Sequence, residues 1–187
     1  MGNTMVYLFL ADGFEEIEAL TPADLLRRAG VTVTTVGVTG KIATGSHGLP
    51  VTADVTAAEA EAMLADGIVP AMVILPGGMP GAKNLDESPT VEKFITAATD
   101  TDAYLAAICA APMILGKRGL LTGKRAVCYP GFESYLDGAS VENVPCVRDG
   151  KIITGRAMGA ATEFALTLVA ALCGEAKADE IRKGVLA

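Results

Sequence analysis

The sequence predicts an α/β domain, a mostly parallel β-sheet with helices on both faces. Three observations carry that expectation. Short β-branched or apolar runs alternate with longer helical stretches along the chain. The first run, Met5 to Leu10 (MVYLFL), is apolar throughout, as a strand covered on both faces should be. Repeated strand–helix units imply right-handed crossovers and a parallel sheet. With no linker, repeat or low-complexity tract in its 187 residues, the chain is expected to be one domain over residues 1–187.

The elements follow in order. After Met5 to Leu10, Glu15 to Ala29 reads as a helix ended by Gly30, with Pro22 marking a kink or a new first turn. Val31 to Val38 is rich in Val and Thr and reads as a strand. Thr56 with Glu59 forms a capping box that opens an Ala-rich helix to about Asp66. Met72 to Leu75 is a strand stopped by Pro76-Gly77-Gly78, and Ser88-Pro89 opens a helix to about Thr99. Tyr104 to Ile108 is a strand, with Ala110 to Arg118 a helix directly after it. Arg125 to Cys128 and Val144 to Arg148 look like short strands, and Asp149-Gly150 a two-residue turn into Lys151 to Thr154, together a small antiparallel extension. Ala160 to Cys173 is a long amphipathic helix closed by Gly174, and Lys177 to Val185 a short one.

Composition removes several functional classes. The chain is 51% hydrophobic and 20% charged, which argues against disorder. Fifteen Lys and Arg face 22 Asp and Glu, a formal charge of −7, so it is a poor candidate for binding nucleic-acid phosphates. The longest apolar run, around Ala103 to Leu115, is broken by Pro112 and falls short of the ~20 residues of a membrane helix. The N-terminus lacks the basic region and cleavage site of a signal peptide, and Val6 stands where a myristoylation motif on Gly2 needs Ser or Thr. Cys109, Cys128, Cys146 and Cys173 are far apart, and most read as small buried hydrophobes in a reducing cytosol. His47 is the only histidine, so no metal site is expected.

In open parallel sheets ligands bind beyond the carboxyl ends of the strands. Cys109 lies at such an end, between an apolar strand and a helix start, flanked by small residues (AAICAAP). A sharp strand-to-helix turn exposes its side chain, and a helix N-terminus favours thiolate. The alternative is a cysteine that merely packs small. Pro76 to Gly81 offers free backbone N–H groups on a loop able to approach a ligand, as an oxyanion hole needs, or else makes an ordinary tight turn. Glu15, Glu16 and Glu18 are dense beside a sheet end. On a helix Glu15 and Glu18 share a face while Glu16 points elsewhere. Acids are favoured at a helix N-terminus, which accounts for Glu15 and Glu16 better than for Glu18.

The strand followed by DGFEEIE, then LPGGMPGAKNL, the AAICAAP elbow, and DGKIITGR with GAATEFAL resemble the ThiJ/PfpI (DJ-1/PfpI) superfamily. Within it they are most similar to the parkinsonism-associated DJ-1 branch and its bacterial relatives, from about Met5 to Gly174. The resemblance implies a flavodoxin-like, class I glutamine amidotransferase-like sandwich and a cytoplasmic homodimer with the first helix in the interface. It implies that Cys109 is the reactive, oxidation-sensitive cysteine and that Glu18 is its carboxyl partner. The N–H groups of Gly78 and of Cys109 itself then face an oxyanion or sulfinate oxygen. Gly77, Ala110, Tyr129 and Glu15 complete the substrate site, with Arg28 reaching the pocket mouth from across the dimer. No cofactor is implied.

The departures bear on chemistry. Where the branch's human member has a histidine after the following strand, Cys128-Tyr129-Pro130 holds tyrosine, and the residue after Cys109 is Ala110, not the histidine of the protease-like branch. His47 lies upstream in a turn, near the position of a pocket-rim arginine, and reads as a surface histidine. Peptidase and amidotransferase activity are therefore not expected. The resemblance implies a cofactor-independent enzyme of the glyoxalase III or deglycase type with a stress-protective role, acting on a small dicarbonyl or glycated substrate. The alternative it leaves open is an oxidative-stress sensor or chaperone whose cysteine oxidises to a stabilised sulfinate.

Overall fold

The computed structural model describes residues 4–187, and the expectation placed on Gly2 lies outside them. The first half of the chain runs through β1 (Thr4–Leu10), α1 (Glu16–Arg28), β2 (Val33–Gly37), β3 (Ile42–Thr44), β4 (Pro50–Thr52), β5 (Val55–Thr56), α2 (Ala57–Ala65) and β6 (Val69–Leu75). It continues through α3 (Gly81–Asp86), α4 (Pro89–Asp100), β7 (Tyr104–Ile108), α5 (Pro112–Lys117), β8 (Arg125–Ala126) and β9 (Ser140–Val141). It ends with β10 (Cys146–Asp149), β11 (Ile152–Gly155), α6 (Ala161–Cys173) and α7 (Glu175–Val185). Seven strands form one sheet in the order β10-β11-β7-β6-β1-β2-β5, parallel except for β10.

Alternation along β1 divides the core. Val6, Leu8 and Leu10 pack with Leu25 and Leu26 of α1 and Phe164 and Leu168 of α6. Tyr7 and Phe9 point to the other face, where both meet the Phe94 ring edge-on at 4.6 and 5.1 Å. Both faces of the strand are thus dry, which is why its sequence is apolar without a break. The chain leaves β1 toward β2 on one side and leaves β6 toward β7 on the other. The loops after β1 and β6 therefore part at neighbouring carboxyl ends, and a crevice opens between them.

Several expectations shift. α1 continues through Pro22 as one helix without a restart, and Pro22 is buried in it. β6 begins three residues earlier than expected, at Val69, because the strand takes in Pro70, and the register with β1 slips opposite it, where an N–H is missing. The β3–β4 ribbon, β5 and α3 carry too little periodic signal to be read in sequence. The late hairpin is not a separate extension: β11 joins β7 in the main sheet and β10 forms its antiparallel edge. Its two-residue loop is Gly150-Lys151, not Asp149-Gly150, because the positive φ of Gly150 (62°) belongs at the first central position. α5 starts at Pro112, not Ala110, leaving room for a turn at Cys109. Cys128 is buried, but Cys146 is half-buried and Cys173 is exposed, contrary to the packing read for most of the cysteines.

The capping box is formed as expected: Thr56 Oγ1 accepts the Glu59 N–H at 3.3 Å and Glu59 Oε2 accepts the Thr56 N–H at 2.7 Å. Thr56→Ala is expected to cost about 1 kcal/mol, read as a lower denaturant midpoint with unchanged slope.

Candidate active site

Cys109 leaves the carboxyl end of β7 with φ of 65°, a left-handed backbone that costs a non-glycine residue about 1 kcal/mol or more. Three hydrogen bonds hold the turn. The Cys109 N–H donates to the Gly155 carbonyl (2.9 Å), the Tyr129 N–H donates to the Cys109 carbonyl (2.8 Å), and the Ala111 N–H donates to the Ile108 carbonyl (3.0 Å). The ends of β11 and of the segment after β8 thus lock the elbow and aim the side chain into the crevice. The first of these bonds corrects one expectation. The Cys109 N–H is spent on Gly155 and is not free for an oxyanion. The N–H groups that reach the sulfur are those of Gly78 and Ala110.

Glu18 lies in the first turn of α1 and is fully buried. Its Oε2 accepts the Gly77 N–H at 3.0 Å, its Oε1 has no nitrogen or oxygen partner, and its carboxyl is hydrogen-bonded to the Cys109 thiol. The loop after β6 comes so close that only glycine fits. A Cβ on Gly77 would fall 2.6 Å from Cys109 Cβ and 2.7 Å from Glu18 Oε2. Gly78 has φ of 84°, and a Cβ there would lie 2.4 Å from the Glu15 nitrogen.

Burial sets the titration of this pair. It raises Glu18 from 4.5 to about 7, more than the bonds from Cys109 and Gly77 lower it. Burial first, then the neighbouring Glu18 charge, push the Cys109 thiol up to about 12. This reverses the depressed thiol expected from a helix N-terminus, since α5 starts three residues on and the sulfur faces a carboxylate instead. The two groups titrate as a unit. They hold two protons below about pH 7 and share one between about 7 and about 12.

Glu15, Gly78, Met79, Cys109, Ala110, Tyr129 and Phe132 line a cleft of about 240 Å³ over the sulfur. The structure therefore brings together Glu15, Gly78, Cys109, Ala110 and Tyr129, with Gly77 and Glu18 directly beneath. Arg28 stands apart, exposed at the far end of α1 and paired with Asp24 at 2.6 Å. Met79 and Phe132 were not singled out in sequence. Their only signal was adjacency to the glycine loop and to Tyr129.

Glu16 reads in sequence as an ordinary helix-start acid, yet it is 3% exposed and anchors the β3–β4 turn. Its carboxylate accepts the His47 N–H at 2.9 Å and meets His47 Nδ1 at 3.0 Å, and these bonds outweigh burial to hold it at about 2. His47 is exposed, as expected, and the Glu16 carboxylate raises its pKa. Glu15, Glu16 and His47 offer donor atoms within 4.8 Å of one another, a grouping that the lone histidine in the sequence did not suggest.

A flavodoxin-like sandwich with a cysteine on a strand–helix elbow, faced by a buried carboxyl, is a recognisable class of protein. The chain belongs to the DJ-1/PfpI family, whose model matches residues 4–171. Protein dj-1beta of Drosophila melanogaster is 36% identical over 182 residues, covering 96% of this chain and 95% of the relative. The Drosophila DJ-1beta crystal structure matches with a TM-score of 0.90 at 35% identity, over 100% of this chain and 98% of that one. Oxidised Toxoplasma gondii DJ-1 matches at 0.90 and 32% identity over 98% of each chain. A Caenorhabditis elegans protein named as a glutathione-independent glyoxalase is 29% identical over 177 residues, 90% of this chain and 88% of the relative. Among the described residues no helix is long and apolar enough to cross a membrane.

The folded Glu18 binds its proton more tightly than the unfolded one, so its burial costs stability as pH rises from about 4.5 through about 7. Glu18→Gln, neutral throughout, should be more stable than the parent at pH 8 by up to about 3 kcal/mol, and near parity at about pH 4, in urea titrations. The same variant should move the pH midpoint of Cys109 alkylation downward, because it removes the neighbouring charge but not the burial.

Proposed function

We propose that this chain is a cofactor-independent enzyme of reactive carbonyls that converts 2-oxoaldehydes to 2-hydroxy acids, with a stress-protective role. The observation that carries the proposal is the Glu18–Cys109 pair, which shares one proton above about pH 7, beneath an open cleft and beside the Gly78 and Ala110 N–H groups. The name of the C. elegans relative points the same way.

In this reading the sulfur adds to the aldehyde carbon as the thiol proton passes to Glu18, which returns it to the new oxyanion. The Gly78 and Ala110 N–H groups hold the charge in between. Glu18 then takes the proton from that carbon and delivers it to the adjacent one, while the hydroxyl proton passes to the former ketone oxygen. The aldehyde carbon is oxidised to a thioester and the ketone carbon reduced to an alcohol, so no outside oxidant is needed. Water cleaves the thioester and restores the thiol. A carboxyl near pKa 7 suits both proton transfers at neutral pH. Tyr129 contributes a wall and a hydroxyl rather than a base. We assign the working form to a cytoplasmic homodimer in which Arg28 of the partner subunit approaches the cleft mouth.

With methylglyoxal and no glutathione, the parent should form lactate catalytically. Cys109→Ser should abolish lactate, and Glu18→Gln should lower kcat/KM by about 10²- to 10⁴-fold. Loss of one dicarbonyl per Cys109 without lactate would overturn the proposal. Below about pH 7 Glu18 is itself protonated and can no longer accept the thiol's proton. The rate should therefore climb as pH rises through about 7 and hold beyond it.

A second reading, an oxidation sensor, is favoured by the same two N–H groups, which suit a sulfinate oxygen equally well. Under that reading peroxide yields a stable Cys109 sulfinate by mass spectrometry and methylglyoxal yields no lactate.

A further inference from the structure

We propose that the cleft over Cys109 selects 2-oxoaldehydes bearing an aryl group, with Met79, Tyr129 and Phe132 forming the wall that holds the ring. The inference rests on the carbonyl reading of Cys109 and names its substrate class.

Size is the first reason. The cleft measures about 240 Å³, whereas a dry apolar cavity of about 150 Å³ suffices for benzene. A ring and its dicarbonyl fit together, but a methyl substituent would leave most of the wall wet. The wall itself is the second reason. Tyr129 and Phe132 meet edge-to-face at 6.5 Å and 80°, and Phe132 is backed by Tyr135 at 5.9 Å and by packing against the core. Such a pair presents ring surface in the geometry aromatic ligands prefer. Met79 is 51% exposed and Tyr129 47%, large apolar groups that a bound ring would cover. Placement is the third. The Tyr129 N–H is bonded to the Cys109 carbonyl, so the aromatic wall begins beside the sulfur. A dicarbonyl bonded there by its aldehyde carbon carries its substituent along that wall.

For phenylglyoxal the balance is that of the methyl substrate. One water is consumed, the aldehyde carbon becomes the carboxylate of mandelate, and the ketone carbon becomes its carbinol.

The test uses the full chain without glutathione and measures kcat/KM for phenylglyoxal, as mandelate formed, against methylglyoxal, as lactate formed. The ratio should favour the aryl substrate by about tenfold or more. In Met79→Ala and Phe132→Leu it should shrink several-fold, chiefly through KM. In parallel, acetophenone and acetone are compared as protectants of Cys109 against iodoacetamide. Acetophenone should protect at a concentration about tenfold lower or less, and Met79→Ala should weaken it. Turnover of methylglyoxal with a flat or inverted ratio and equal protection would overturn the aryl wall and leave the enzyme standing. Protection by acetophenone without turnover of either dicarbonyl would support the aryl cleft and sink the enzyme. Neither turnover nor selective protection would remove both.

Discussion

The site depends on one carboxyl that water does not reach. An ionised carboxylate in that position is costly unless it is paired, so Glu18 must share a proton or find donors. It has the Gly77 N–H at 3.0 Å and the Cys109 thiol, and nothing else among protein nitrogens and oxygens. That scarcity raises Glu18 to about 7 and keeps the thiol protonated while the carboxylate is charged. The protonation of Cys109 thus follows from the solvation of its neighbour. In the proposed chemistry this is a resting thiol beside a base and not a standing thiolate, so the sulfur is freed only as its proton moves.

Close backbone approach makes the pairing possible. The Glu15 N–H donates to the Gly77 carbonyl at 3.0 Å, and the Gly81 N–H donates to the Gly13 carbonyl at 3.2 Å. These bonds stitch the loop after β1 to the loop after β6 at the place where the sheet changes direction. Glycines 77 and 78 are required there because a side chain would occupy the space of Cys109, Glu18 or the Glu15 backbone. The elbow at Cys109 then completes a triangle of three strand ends.

Two acids on one helix, two residues apart, are treated in opposite ways. Glu18 lies deep, with only the Gly77 N–H and the Cys109 thiol to offset burial, whereas Glu16 sits at the margin, where bonds from His47 and Leu49 hold it at about 2. Depth and donor number together decide the charge. The consequence is a division in which Glu16 pins the turn that carries His47, Glu15 faces the cleft, and Glu18 lies against the Cys109 thiol.

Whatever could be read from neighbours along the chain was legible in the sequence. The apolar run of β1, the capping box of α2, the Ser88-Pro89 start of α4 and the strand–cysteine–helix elbow all declare themselves within a few residues, because period and capping are local. The motifs also sufficed to select Cys109, Glu18 and Gly78 as residues to watch. Tertiary structure decided the rest. Glu18 and Gly77 are 59 positions apart, and only their contact shows how the carboxyl is solvated. The expectation of a depressed thiol failed for that reason, since the helix start is visible in sequence but the facing carboxylate and its burial are not. The role of the Cys109 N–H was misread likewise, because its acceptor, Gly155, arrives on a strand far along the chain. Glu16 looked like a routine helix-start acid until the 45–49 turn folded over it. Desolvation and donor count depend on every segment that comes near, so the charge on a buried group is a property of the fold and not of its sequence neighbours.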